Sequence, residues 1–259
     1  MANPTQVIKS IGPKLVPFFK TVAIYFVLYI PVERPSCFAM LIKCLPIISL
    51  IIFVLLHGMS LGDEYAFSRR IMFGLAFSCV GDAFLVWPQY FVHGMGAFGI
   101  AQIMYTSAFG FAPLNATLGA ILYFLCGLMV AVLLPGLNGI LLIGVPLYSM
   151  LLVTTVWRAI ARVQFFKELW TWTKLCSCIG GIMWALSDAL IGFSHFYQPI
   201  LYSQAIIMVT YYAAQLGIAL SVVDCKADYK ARIEAEKLAK QSAIQNQSKT
   251  TLPSIEQVN

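Results

Sequence analysis

Eight long apolar runs, each close to the length of a membrane-crossing helix, dominate this 259-residue chain. Short connections carrying Pro or Gly separate most of them. A bilayer core of roughly 30 Å takes about 20 apolar residues per helix. In hydrocarbon only helices and closed barrels satisfy their own backbone groups. The runs therefore predict an all-α fold, a polytopic membrane bundle of about eight transmembrane helices. They fall over 14–31, 37–56, 70–88, 91–110, 116–134, 138–158, 174–196 and 199–224. Charged residues make up only 11% of the chain and hydrophobic residues 60%. A soluble domain carries about 25% charged residues, so a soluble enzyme is excluded.

Residues 1–225 read as the membrane bundle and 226–259 as a cytosolic tail. Lys226–Lys240 alternates acid and base with Ala and Leu, and Gln241–Asn259 has the Ser, Gln, Asn and Thr content of disorder. The basic N-terminal run lacks a clean cleavage site and reads as a first span. Seven cysteines, an odd number sitting mostly inside apolar runs, do not suit a disulfide framework.

With eight spans, fifteen of the 17 Lys and Arg residues fall on one side, Arg34 alone falls on the other, and Lys43 lies within a span. The positive-inside rule then places both termini in the cytosol. The net charge of +6 signals contact with the cytoplasmic leaflet rather than with nucleic acid. The sequons Asn115-Ala-Thr117 and Asn246-Gln-Ser248 face the cytosol and should carry no glycan.

Three ionisable residues interrupt the apolar runs: Lys43 in the second, Asp82 in the third and Asp188 in the seventh. Each costs about 2.5–3.5 kcal/mol at a helix centre on insertion scales. On the expected boundaries all three lie roughly 9–12 Å below the lumenal end of their helices, at 1.5 Å per residue. A shared depth implies one polar cavity in the non-cytosolic half; the structural alternative is an ion pair joining helices. Ser78-Cys-Val-Gly-Asp82-Ala-Phe-Leu also echoes Trp184-Ala-Leu-Ser-Asp188-Ala-Leu-Ile, and Leu41–Pro46 weakly echoes Leu142–Pro146. Two parallel four-helix repeats account for both echoes.

Tyr25, Gln102, Tyr105, Ser149, Gln204, Tyr211, Tyr212 and Gln215 are the further polar residues available to line such a cavity. His93 and His195 lie near helix ends without a third ligand, so no metal site is expected. The chain has no Gly-x-Ser-x-Gly elbow, P-loop or His-Glu-x-x-His.

Lys43 with Leu45-Pro46, Gly81-Asp82, Phe98 through Tyr105 and Ser187-Asp188-Ala form an ordered set. Over roughly 15–223 this set resembles the lysoplasmalogenase family of multi-spanning membrane proteins, also called YhhN-like, and an animal member in particular. The resemblance departs at Gln102, where some members carry His. It implies residence in the endoplasmic reticulum membrane. It also implies a lysophospholipid substrate, a lysoplasmalogen, cleaved at its vinyl ether bond to a fatty aldehyde and glycerophosphoethanolamine or glycerophosphocholine.

The residues suit that chemistry. Vinyl ether cleavage puts a proton on the β-carbon, and the resulting oxocarbenium ion then takes water. One carboxyl must donate a proton and a second must stabilise the cation and accept a proton from water, the two-carboxyl solution used by glycosidases. Asp82 and Asp188 are the candidate catalytic pair. Lys43, Tyr25, Gln102, Tyr105, Ser149 and Tyr211 are the candidate substrate contacts, with Lys43 either supporting an Asp charge or clamping the lipid phosphate. No cofactor is required. The competing reading is a proton-coupled transporter. A relay, however, would spread ionisable groups across the bilayer, whereas these three share one level.

Overall fold

The structure, a computed structural model, describes residues 4–28, 35–57, 59–163 and 172–223, with 233–234, 237–238 and 241 of the tail, and side chains from residue 11 onward. Arg34, Lys167, Cys225, Asn246 and the rest of the tail lie outside the described residues. Among those described there are eight long helices: α1 (Pro4–Leu28), α2 (Cys37–Leu56), α3 (Ala66–Phe84), α4 (Phe91–Phe109), α5 (Ala116–Leu133), α6 (Leu141–Ala161), α7 (Trp172–Phe196) and α8 (Ser203–Leu220). Six of them are long and apolar enough to cross a membrane. The other two, α3 and α4, carry Arg69, Arg70 and Asp82, and His93 and Gln102, which lower their apolar content.

Local chemistry sets the ends. The Ser36 hydroxyl accepts from the Ala39 amide to start α2, and Asn115 Oδ1 accepts from the Leu118 amide to start α5. Gly110, at φ 69°, closes α4 in a region that favours glycine. The third helix runs 66–84 rather than the expected 70–88. Pro88 disfavours a helical residue before it, and Trp87 is extended at φ −107°, ψ 118°.

The helices alternate in direction, so α1, α3, α5 and α7 run away from one end of the bundle and the others return. Lys14, Arg69, Arg70, Arg158, Arg162 and Lys174 gather at that end, called here the basic end. Several of these side chains are tied to chain carbonyls. Arg70 donates to Ser107 O at 2.6 Å, and Arg158 to Gly110 O at 2.6 Å and Pro113 O at 2.9 Å. One basic residue departs from expectation. Lys20 adjoins Thr21, whose hydroxyl lies 3.5 Å from Ser49 Oγ near the middle of α2. Lys20 is thus inside the span, on the bundle exterior, where a long side chain can reach toward an interface.

The order of packing repeats. The pairings α1–α2, α2–α3, α3–α4 and α4–α6 recur four helices later as α5–α6, α6–α7, α7–α8 and α8–α2. Pro46 in α2 and Pro146 in α6 occupy corresponding helices. This pattern agrees with two parallel repeats. Where α7 meets α8 the backbones nearly touch: a Cβ on Gly180 would lie 2.8 Å from Ala214 O, and one on Gly217 2.7 Å from Cys176 O. Small residues at membrane helix contacts permit this approach.

Candidate active site

A cavity of about 690 Å³ lies among the eight helices, with most of its polar lining in the half of the bundle away from the basic end. That volume suits a small-molecule site. Lys43, Asp82 and Asp188 all line it, together with Tyr25, Ser149, Gln204 and Tyr211 from the expected set.

Asp82 stands two residues before the end of α3, closer to the helix end than the expected boundaries put it, because α3 stops at Phe84. It is 1% exposed. Lys43 Nζ lies 3.6 Å from its Oδ1, and the Tyr211 hydroxyl donates to its Oδ2 at 2.6 Å. This is the structure's ion pair among the described residues. Behind it runs a closed polar chain. Gln215 Nε2 donates to the Tyr211 hydroxyl at 3.0 Å, the Tyr105 hydroxyl donates to Gln215 Oε1 at 3.1 Å, and Ser78 Oγ lies 3.3 Å from Tyr105. Tyr212 donates to the Lys43 carbonyl at 2.9 Å. Buried polar groups are costly unless satisfied, so this chain fixes α3, α4 and α8 around Asp82.

Asp188 has a different environment. Trp184 Nε1, one turn earlier on α7, donates to its Oδ2 at 3.0 Å, and the Tyr148 hydroxyl from α6 donates to the same oxygen. Both donors are neutral and both use Oδ2. Among the described residues Oδ1 has no donor, and Asp188 is only half-buried against the cavity. One carboxyl is thus an interhelical ion pair, and the other holds one oxygen toward the open space.

Aromatic rings join the two centres. Trp184 meets Tyr211 edge-to-face at 5.8 Å, and Phe98 meets Trp184 at 6.1 Å and Tyr211 at 5.9 Å. Phe98 packs against Gly81, where a Cβ would lie 2.7 Å from its ring. The glycine before Asp82 therefore admits the Phe98 ring, which touches both Trp184 and Tyr211. Toward the basic end the cavity turns apolar, lined by Leu122, Leu125, Leu152 and Val156.

Four expected wall residues, Gln102, Tyr105, Tyr212 and Gln215, are not in the wall. Tyr105 and Gln102 are fully buried behind it. The Tyr105 ring fills the space beside Gly74 and its hydroxyl is committed to Gln215. Gln102 lies deeper in α4, its carbonyl accepting from Thr155 Oγ1 at 3.1 Å. Tyr25 is in the wall, and its ring packs edge-to-face on Tyr212 at 5.3 Å. Sequence reasoning missed Tyr148 and Trp184. Trp184 precedes Asp188 by four residues, a spacing that places both on one helix face. Tyr148 shares its inward face with Val145, Leu152 and Val156, and that 3–4 spacing was a readable signal.

The YhhN family model matches residues 38–222. The chain is 44% identical over 228 residues to lysoplasmalogenase TMEM86A of Bos taurus, covering 87% of this chain and 95% of that protein. It is 43% identical over 228 residues to lysoplasmalogenase TMEM86A of Homo sapiens, with the same coverage. Against lysoplasmalogenase TMEM86B of Homo sapiens the identity is 35% over 209 residues, 81% of this chain and 86% of that protein. No solved structure matches the chain.

Proposed function

The chain belongs to the YhhN family, and from that premise we propose that it is an intramembrane lysoplasmalogenase in which Asp188 is the acid and Asp82 the base. It hydrolyses the vinyl ether bond of lysoplasmalogens to a fatty aldehyde and glycerophosphoethanolamine or glycerophosphocholine. The observation that carries the assignment of roles is the unequal surroundings of the two carboxyls. Asp82 is the anion of an ion pair with Lys43. Asp188 takes two neutral donors on one oxygen, leaving Oδ1 to hold a proton toward the cavity.

The steps balance. The Asp188 carboxyl gives its proton to the vinyl β-carbon, and the α-carbon becomes an oxocarbenium ion. Water adds to the α-carbon and its proton passes to Asp82. The hemiacetal then collapses: the glycerol oxygen leaves with the proton from Asp82, and the hemiacetal hydroxyl returns a proton to Asp188. Both residues are restored. Preorganised charge opposite a developing cation is a large catalytic term in a site that excludes water, and the Asp82 carboxylate supplies it.

The test is aldehyde release from a vinyl-ether lysolipid by the purified protein in detergent. Detergent removes any gradient, so turnover there supports a hydrolase. Absence of aldehyde, with gradient-driven uptake in sealed vesicles, would establish the transporter instead.

The reading includes an orientation, with the basic end in the cytosol, and, from the resemblance to animal members, the endoplasmic reticulum membrane. It is supported by the gathering of Lys14, Arg69, Arg70, Arg158, Arg162 and Lys174 at one end. Asn115 lies at that end, as the cap of α5. Asn115 should migrate unglycosylated from cells; a glycan on it would reverse the orientation.

A further inference from the structure

The cavity wall has a second polar layer. His195 stands seven residues beyond Asp188 on α7, and Gln204 stands seven residues before Tyr211 on α8, which runs the opposite way. Both line the cavity. A seven-residue step returns to nearly the same helix face and covers about 10.5 Å. Phe91 has the same relation to Phe98 on α4. The His195 ring stacks on Phe91, with centroids 5.1 Å apart and planes 5° from parallel. That contact fixes the ring and leaves its nitrogens at the edge. Among the described residues, no protein hydrogen bond engages those nitrogens or the Gln204 amide. No other part of the mechanism uses these two residues.

We infer that His195 and Gln204 form the phosphate subsite for the headgroup of a single-chain lysophospholipid, at the end of the bundle opposite the basic residues. The inference rests on the lysoplasmalogenase reading. Seven bonds separate the protonated vinyl carbon from the phosphorus of such a lipid, about 9 Å when extended at ordinary single-bond lengths near 1.5 Å. That length, plus hydrogen-bond reach, matches the rise from the carboxyl layer to the His195 layer. A ring N–H of His195 and the amide N–H of Gln204 donate to phosphate oxygens. In the other direction, Tyr148 to Val156 spans about 12 Å of apolar wall at 1.5 Å per residue, a trough for the alkenyl chain. Lys43 is badly placed for the phosphate because it is bound to Asp82 itself. A phosphate there would sit at the level of the bond to be cleaved. The substrate therefore enters from the leaflet remote from the basic end, headgroup outward.

The experiment compares 1-O-alkenyl lysophosphatidylethanolamine with 1-O-alkenylglycerol of the same chain, which lacks the phosphate, on full-length protein in detergent. The quantity read is the ratio of kcat/KM for the two substrates. Wild type should favour the phospholipid. His195→Ala and Gln204→Ala, each alone, should lower that ratio about tenfold or more, through KM, as expected for losing a hydrogen bond to a charged group. General damage to the fold lowers both rates and leaves the ratio intact, and having two variants protects against one that misfolds. An unchanged ratio in both variants overturns the phosphate subsite while leaving the hydrolase intact. A wild type that cleaves neither substrate overturns the hydrolase, and the subsite with it.

Discussion

Asp188→Asn is expected to lower turnover by at least about 10²-fold, the lower end of what general acid–base catalysis contributes, with little change in the melting temperature of the purified protein in detergent. The asparagine keeps the size of the side chain. Its carbonyl oxygen can still accept from Trp184 Nε1 and the Tyr148 hydroxyl, so the local packing of α6 on α7 survives. No charge is stranded, because Asp188 has no cationic partner among the described residues. What disappears is a proton that can be given to carbon. Affinity for the lipid should change far less, since the apolar trough supplies most of the binding. Full activity in this variant, or a loss only in step with lost fold, would remove Asp188 from the mechanism.

The second large effect concerns the ion pair, and a double variant isolates it. Asp82→Asn or Lys43→Met alone leaves one buried charge without its partner, which typically costs 3–5 kcal/mol. Inactivity of either single variant is therefore ambiguous. Replacing both charges together is often close to neutral for stability. The double variant Lys43→Met, Asp82→Asn should melt above Lys43→Met alone and still turn over at least about 10²-fold more slowly than wild type. If the pair only held α2 to α3, restoring the fold would restore activity. Recovery of turnover in the double variant would make the pair structural and leave the site without its base.

Much of this architecture was legible because charge in hydrocarbon is expensive. Lys43, Asp82 and Asp188 were conspicuous against apolar runs, and all three line one cavity. The matching Gly-Asp-Ala and Ser-Asp-Ala motifs pointed to a repeat, and the packing order follows it. The partners of the carboxyls were harder to read. Ser149 was visible as a polar residue in an apolar helix, whereas its neighbour Tyr148, which reaches Asp188, was not singled out. Both line the cavity; which of them reaches Asp188 is set by how α6 packs on α7, a tertiary fact. Gln102 and Tyr105 misled for the converse reason. Polar residues at membrane depth either line a cavity or bond across helices, and sequence spacing does not distinguish these. Lys20 was assigned to the N-terminal boundary because the start of α1 was placed late; the helix begins at Pro4. The third helix was displaced by one turn because the turn before Pro88 was read as helix.

The central claim is that a carboxyl in the membrane protonates a vinyl carbon, and isotope incorporation tests it most directly. Turnover of a vinyl-ether lysolipid by the detergent-purified protein in D2O, with the aldehyde trapped as it forms, should give product carrying a single deuterium on the carbon next to the carbonyl. That atom marks the proton delivered from Asp188. Asp188 delivers it to one face of the double bond; deuterium divided equally between the two faces would mean that the ether bond breaks without enzymic protonation of that carbon and releases an enol that solvent protonates, and the two-carboxyl mechanism would be wrong.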